Sequence, residues 1–167
     1  MAVDGQSQQF HKRFNGFVGF YRGWKEYKNG FLLKHLQTGE FWLGKEKTHQ
    51  LTEIPSYLCV EINTTFAGYR YTSYSNFTVT NEASNYTLFI GFYSGTATDE
   101  LTYHSSRLLL LRTVIVTKRE VTNVRGAWWY SSCYTGSSLN NNYRGNTYYA
   151  WNLLGSEMKL KPKQKPK

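Results

Sequence analysis

Hydrophobic and polar residues alternate most clearly in the middle of the chain, in the pattern typical of β-strands. Between residues 57 and 62, the aliphatic residues Leu58, Val60 and Ile62 occupy every second position. A repeat of two places these three side chains on one face of a strand and directs Cys59 to the opposite face. Three further strands are expected. One begins at residues 77–79, one runs over 86–92 and is closed by Ser94 and Gly95, and one covers 127–130.

Two short helices are predicted in the N-terminal third. Phe20, Trp24 and Tyr27 recur at helical spacing among charged residues, which indicates an amphipathic helix of about two turns. Residues 29–30, Asn and Gly, are expected to end this helix, because both residue types tolerate the left-handed conformation. A second helix is expected over residues 44–52. The pattern shows no internal repeat and no linker, so it predicts one domain.

The composition is that of a folded domain. Of the 167 residues, 40% are hydrophobic and 17% are aromatic, which argues against disorder. No stretch approaches the roughly 18 apolar residues that span a bilayer, so membrane insertion is not expected. Residues 1–10 have neither the basic nor the apolar region of a secretory leader. We therefore expect a mature fragment or a chain that lacks its first exon.

Much of the positive charge lies at the C-terminus. The formal net charge is +9, and lysine occupies every second position from Lys159 to Lys167. We expect residues 163–167 to form a solvated, flexible basic tail. The alternative is that the tail attracts anionic surfaces such as glycosaminoglycans or sialylated glycans. Nucleic acid is not an expected partner.

The sequence offers no constellation for catalysis or metal binding. The four histidines lack metal-ligand spacing, and neither a nucleophile elbow nor a glycine-rich phosphate loop is present. We therefore expect no enzyme and no resident metal. His49 and His104 are expected to be structural. The two cysteines, Cys59 and Cys133, allow at most one internal disulfide, and their number leaves the redox compartment open.

Three triplets match the acceptor sequence for N-linked glycosylation. They begin at Asn63, Asn76 and Asn85. A chain of this composition carries about two such triplets by chance, so their number is not evidence of secretion.

A run of aromatic residues ending on a cysteine is the most specific motif. Residues 126–133 read Gly-Ala-Trp-Trp-Tyr-Ser-Ser-Cys, and residues 138–143 form an amide-rich turn. Other blocks in the same order cover residues 14–31, 40–52, 93–104 and 157–162. Together they resemble the fibrinogen C-terminal (fibrinogen-related) domain family. The resemblance implies an α+β domain over residues 10–162, with a twisted antiparallel sheet, short helices and a loop-rich C-terminal third.

The resemblance also implies a secreted, non-enzymatic recognition domain. Lectin-like members hold an acetyl group between aromatic walls and backbone N–H donors, which suit its methyl and its carbonyl. The implied partners are acetylated glycans or glycoproteins, with a receptor or matrix protein as the alternative and oligomers expected only through an upstream stalk. Tyr134 and Tyr149 can equally be plain core or surface aromatics. Carried over residue by residue, the ligand-binding positions are Ser132, Cys133, Tyr134, Asn140, Tyr149 and Ala150.

The chain departs from the family where a calcium loop is expected after His104. Calcium takes six to eight oxygen ligands, yet residues 105–119 contain four basic residues and no carboxylate. We therefore expect no calcium and no other cofactor. The family's partner for Cys133 falls at Glu120, and strand geometry rarely brings a pair such as Cys59 and Cys133 within the roughly 7 Å that a disulfide needs.

A reading-frame error would explain the lost loop. The peptide over residues 112–116 can be encoded so that reading two nucleotides later gives Asp-Ser-Asp-Ser, which is calcium-loop chemistry. We hypothesise that residues of roughly 107–124 come from such an error. The nucleotide sequence tests it, because any other codon choice excludes it. A decayed or mispredicted copy without function is accordingly a third alternative.

Overall fold

The computed structural model of the chain describes residues 7–14, 16, 18–32, 39–107, 110–112, 126–129, 139, 147–148 and 151–163. Two α-helices lie in the N-terminal third, α1 (Trp24–Asn29) and α2 (Lys45–Leu51). The strands are β1 (Gln8–Arg13), β2 (Phe41–Trp42), β3 (Ser56–Thr64), β4 (Gly68–Val79), β5 (Leu88–Ile90), β6 (Tyr93–Gly95), β7 (Leu110–Arg112), β8 (Gly126–Trp128), β9 (Thr147–Tyr148) and β10 (Trp151–Pro162).

An antiparallel sheet organises this part of the molecule. Its strand order is β2-β1-β10-β3-β4-β5, with β6 added to β4 and β9 added to β10. The long strand β10 lies between β1 and β3, so the first and last of the described strands are neighbours. A separate pair joins β7 to β8. Antiparallel strands with short helices confirm the predicted α+β class.

The strand prediction for residues 57–62 is confirmed, and two others need correction. Leu58, Val60 and Ile62 are at most 1% exposed, whereas Cys59 is half-buried on the other face. Residues 77–79 end β4 instead of beginning a strand, because residues 68–74 of the same strand already pair with β3. Residues 86–92 contribute only the three-residue β5, after which β6 forms as a strand of its own.

Both predicted helices are present, with one correction. The first begins at Trp24, directly after Gly23 in an extended conformation, so Phe20 precedes the helix. Phe20 is nevertheless fully buried, so an apolar residue is needed at this position although it lies outside the helix. The helix ends at Gly30 as predicted. The second helix lies inside the predicted range 44–52.

Two glycines allow the helices to approach each other. Gly30 has φ 87° and Gly44 has φ 107°, a region that other residues rarely adopt. A Cβ on Gly44 would lie 2.6 Å from the backbone nitrogen of Gly30, and one on Gly30 would lie 2.2 Å from the carbonyl oxygen of Leu43. The segments that carry α1 and α2 therefore pack backbone against backbone.

The core fills the space between the sheet and the N-terminal elements with aromatic side chains. The ring centroids of Phe10 and Phe77 are 5.6 Å apart, and Phe10 also meets Trp42 edge to face at 6.1 Å. Such edge-to-face pairs add about 0.5–1.5 kcal/mol each beyond the burial of their area. The same core contacts Trp129 through Phe77, and so it fixes the position of β8, which leads to the candidate site.

Candidate functional site

The predicted ligand-binding residues lie outside the described residues. This holds for Ser132, Cys133, Tyr134, Asn140, Tyr149 and Ala150. Most of the segment in which the calcium loop is expected is also outside them, as is Glu120. The described residues that border this segment, 126–129, 139 and 147–148, define how the site is attached to the fold.

Trp128 and Trp129 anchor the segment before Ser132 in the core. Their side chains are 0% and 1% exposed, and their ring centroids are 5.3 Å apart. The indole N–H of Trp129 donates to the carbonyl oxygen of Tyr86 at 2.9 Å, and its ring meets Phe77 edge to face at 6.2 Å. The predicted buried strand over residues 127–130 is thus confirmed as far as Trp128, and Trp129 is buried directly after the strand. Trp128 and Trp129 therefore fix the backbone shortly before the predicted ligand-binding residues Ser132, Cys133 and Tyr134.

Arg13 makes a second attachment, from β1 to the residue before Asn140. The Nη1 of Arg13 donates to the carbonyl oxygen of Leu139 at 3.2 Å, although 126 positions separate them. Arg13 is 3% exposed, and its guanidinium lies 4.8 Å from the centroid of the Phe20 ring. Burial lowers the pKa of Arg13, while the nearby Glu40 opposes this shift. The guanidinium remains charged, so its bond to the carbonyl is a charge-assisted one.

Glu40 organises the loop that follows Arg13. Its buried carboxylate accepts backbone hydrogen bonds from Phe14 at 2.7 Å, Gly16 at 2.9 Å and Val18 at 3.0 Å. Three N–H donors around one carboxylate compensate its loss of hydration. Sequence reasoning placed Glu40 in a family block but assigned it no role, because the three donors are backbone groups that no side-chain motif reveals.

His49 and His104 have structural roles. His49 Nδ1 lies 2.8 Å from the carbonyl oxygen of Val79, which confirms its expected framework role. His104 is 1% exposed and packs edge to face on Trp128 at 6.4 Å. Burial lowers the pKa of His104, the backbone of Trp129 opposes this shift, and Arg107 adds to it. His104 is therefore a neutral core residue at neutral pH.

Cys59 is a half-buried free thiol on the outer face of the sheet. Cys133, the partner with which a disulfide is not expected, lies outside the described residues. Burial raises the pKa of this thiol, and the nearby Glu61 adds to the effect, whereas Lys159 opposes it. No three His, Cys, Asp or Glu side chains converge on a possible metal position within the described ranges. In the same ranges, the helices are too short or too polar to cross a membrane.

The outer surface also carries exposed aromatic side chains. Phe66, in the turn between β3 and β4, is 94% exposed, and Tyr69 at the start of β4 is 78% exposed. Tyr69 lies beside Glu61 and Asn63 at shallow depressions on the outer face of the sheet. Exposed aromatics at a depression can stack on a ligand or insert into a protein partner.

Comparison with known proteins identifies the class of domain. The family model for fibrinogen beta and gamma chains, C-terminal globular domain, matches residues 2–159. The chain therefore belongs to the fibrinogen C-terminal domain family, as its motifs predict. The fibrinogen-like globe domains of human ANGPTL2 and ANGPTL6 superpose with TM-scores of 0.78 and 0.77, each at 26% identity, covering 96% and 95% of this chain and 82% and 78% of theirs.

Curated relatives are similar over most of this chain. Fibrinogen-like protein A of Apostichopus parvimensis is 38% identical over 144 residues, which cover 80% of this chain and 49% of the relative. Angiopoietin-related protein 7 of Homo sapiens is 36% identical over 176 residues, covering 90% and 48%. Microfibril-associated glycoprotein 4 of Bos taurus is 37% identical over 158 residues, covering 88% and 60%. The chain thus spans about half the length of the curated relatives it matches.

Proposed function

We propose that the chain is an extracellular, non-enzymatic recognition domain that binds acetylated glycans. The backbone corner at Ser132, Cys133 and Tyr134 would donate hydrogen bonds to the acetyl carbonyl, and Tyr149 with Ala150 would line the wall for its methyl group. Asn140 would contribute an amide from the neighbouring turn. A buried methyl group and a bonded carbonyl suit a small pocket of this composition.

The observation that carries the proposal is the anchoring of Trp128 and Trp129 just before this corner. Both side chains are buried, and the Trp129 indole is hydrogen-bonded to Tyr86. Arg13 holds the carbonyl group of Leu139 on the other side of the corner. A binding site has to be positioned by a rigid frame, and these two attachments supply one at each flank.

A competition assay tests the proposal. The folded domain is applied to an immobilised acetylated glycoprotein, and free N-acetylglucosamine is compared with glucosamine, which lacks the acetyl group. We expect only N-acetylglucosamine to compete, and we expect Tyr149→Ala to weaken binding while the exposed Tyr57→Ala does not. Equal competition by both sugars, or absence of binding by a protein that unfolds cooperatively, would contradict acetyl recognition.

A receptor or matrix protein is the second candidate ligand, and the exposed aromatics favour it. Aromatic side chains such as Phe66 and Tyr69 are enriched among the residues that dominate protein interfaces. In this case the domain binds a receptor ectodomain, N-acetylglucosamine does not compete, and Phe66→Ser weakens binding whereas Tyr149→Ala does not. The opposite dependence on the two variants excludes this candidate.

A non-functional copy is the third candidate, favoured by the basic segment that replaces the calcium loop. Residues 105–119 conflict with the rest of the family pattern. Urea unfolding followed by tryptophan fluorescence, with and without calcium, separates this candidate from the other two. A decayed copy gives no cooperative transition in either condition, whereas a working domain unfolds cooperatively.

A further inference from the structure

The three acceptor triplets for N-linked glycosylation lie in different structural environments. Asn63 is on β3 and Asn76 is on β4, both inside the sheet, whereas Asn85 is in the turn between β4 and β5. Counting triplets could not separate them, but exposure does. Asn85 is exposed, while Asn63 and Asn76 are half-buried.

Asn85 lies in an exposed turn, directly after a short helix. It follows the short 3-10 helix Glu82–Ser84 with φ 51° and ψ 37°, a left-handed conformation that asparagine tolerates well. All of residues 81–85 are exposed, so a large group on the Asn85 carboxamide would extend into solvent. The next residue, Tyr86, is fully buried and fixes the turn to the core.

The threonine of this triplet is also well placed in the folded turn. Thr87 Oγ1 donates to the carbonyl oxygen of Ser84 at 2.7 Å, and the Thr87 backbone N–H donates to Thr80 Oγ1 at 2.8 Å. Both bonds leave the Asn85 carboxamide uninvolved. A sugar added before folding would therefore leave the closure of this turn intact.

The other two asparagines offer less room. Asn63 faces Gly155 on one side and Tyr69 on the other, within a shallow depression of the sheet. The backbone at Gly91 packs closely on Asn76, since a Cβ added to Gly91 would lie 2.8 Å from the Asn76 Cβ. An N-linked glycan is bulky and belongs on an open surface, which neither position provides.

We propose that Asn85 is the N-glycosylation site of this domain and that Asn63 and Asn76 stay unmodified. The Asn85 carboxamide nitrogen would attack C1 of a lipid pyrophosphate-linked oligosaccharide. A C–N bond forms, the C1–O bond to pyrophosphate breaks, the lipid pyrophosphate leaves with the bonding electrons, and one amide proton passes to a base of the transferase. The inference rests on the proposed function only in requiring that the chain enter the secretory pathway.

The experiment expresses the full chain behind a cleavable secretory leader in cultured animal cells. Glycan is read on both the secreted and the cell-associated protein, so a failure of secretion does not hide the result. Peptide-N-glycosidase treatment in heavy-oxygen water converts each modified asparagine to labelled aspartate, which peptide mass spectrometry assigns to a residue. The variants are Asn85→Gln, Thr87→Ala and Thr87→Ser, with Asn63→Gln and Asn76→Gln as matched controls.

We expect one glycan per chain, with the label at residue 85. Asn85→Gln and Thr87→Ala should abolish the glycosidase-sensitive mass, whereas Thr87→Ser and both control variants should retain it. Unmodified Asn85, or a glycan that disappears in Asn63→Gln or Asn76→Gln, overturns the inference. A glycosylated chain that does not bind N-acetylglucosamine contradicts only the proposed function, and an unglycosylated chain that binds it contradicts only this inference.

Discussion

The buried amine of Lys45 should make the stability of the domain depend strongly on pH. Lys45 begins α2, is 1% exposed, and has no hydrogen-bond partner for its Nζ among the described residues. The Nζ lies 2.9 Å from the ring centroid of Trp24 and 5.0 Å from that of Tyr86. Burial lowers the pKa of Lys45 from 10.5 to about 7, although the carboxylate of Glu82 opposes the shift.

The sign of the effect follows from proton binding. Between pH 7 and pH 10.5 the unfolded chain keeps the Lys45 proton more fully than the folded chain does, so the free energy of unfolding rises with pH. Its slope approaches about 1.4 kcal/mol per pH unit, and the interval from about 7 to 10.5 gives a penalty of about 4–5 kcal/mol at pH 7 and below. Attraction between the ammonium and the two rings returns about 1–2 kcal/mol.

Replacing Lys45 with methionine should therefore stabilise the domain at neutral and acidic pH. Methionine keeps most of the unbranched stem and removes the amine, so we expect Lys45→Met to raise the free energy of unfolding by about 3 kcal/mol near pH 6. The gain should shrink as pH approaches 10. The measurement is urea unfolding followed by tryptophan fluorescence at several pH values.

Lys47 supplies the control, because it lies in the same helix and is exposed. Lys47→Met should change the free energy of unfolding by less than about 0.5 kcal/mol at every pH. The reasoning is refuted if Lys45→Met is no more stable than the parent at pH 6, or if the difference between them stays constant from pH 6 to pH 10.

Three further substitutions test other parts of the frame. Gly44→Ala should lower the free energy of unfolding, measured with urea, by about 2–4 kcal/mol, because it adds a backbone clash to an unfavourable φ. Gly68→Ala is the control: it also has a positive φ but open space around it, and it should cost about 1 kcal/mol. Glu40→Gln should cost about 1.5–3 kcal/mol, since three backbone N–H groups lose a charged acceptor; a loss no larger than in the exposed Glu53→Gln would contradict this. The parent should lose stability as pH falls below 6.5, because the lowered pKa of His104 lets the unfolded chain bind the proton first. Acid titration of urea midpoints should show a shallower loss in His104→Gln, and an unchanged loss would exclude His104 as its source.

Sequence patterns correctly predicted the elements in which the order of apolar and polar side chains follows the buried and exposed faces. Residues 57–62 show strict alternation because one face of β3 is buried and the other is not. β4 was missed over most of its length because Tyr69 and Tyr71 are exposed on it, so its apolar residues do not follow its buried face. Pairing with β3 forms this strand, and that is a tertiary effect rather than a local preference. Phe20 was placed in a helix because its spacing from Trp24 is helical, although Gly23 separates them.

The candidate site was likewise predictable only where side chains carry the signal. Ser132, Tyr134 and Tyr149 were identified through family motifs, since no periodicity marks a ligand corner. The attachments at its flanks were not foreseen, because the bond from Arg13 to Leu139 and those from Glu40 to the loop after β1 end on backbone atoms. Backbone donors and acceptors are present at nearly every position, so sequence cannot indicate which of them a buried charge will meet.

The position of β10 has a consequence for the synthesis of the protein. The ribosome makes this strand after the other nine described strands, yet it pairs with both β1 and β3 and so joins the two parts of the sheet. Until it emerges, the N-terminal strands β1 and β2 have no bond to β3 and β4 within the sheet. Until then, the aromatic core residues of the nascent chain are not covered by a complete sheet. Such a partly folded state is prone to aggregation and is bound by chaperones. A message truncated before β10 should yield no folded domain, because β1 and β2 would then lack their connection to β3 and β4 within the sheet.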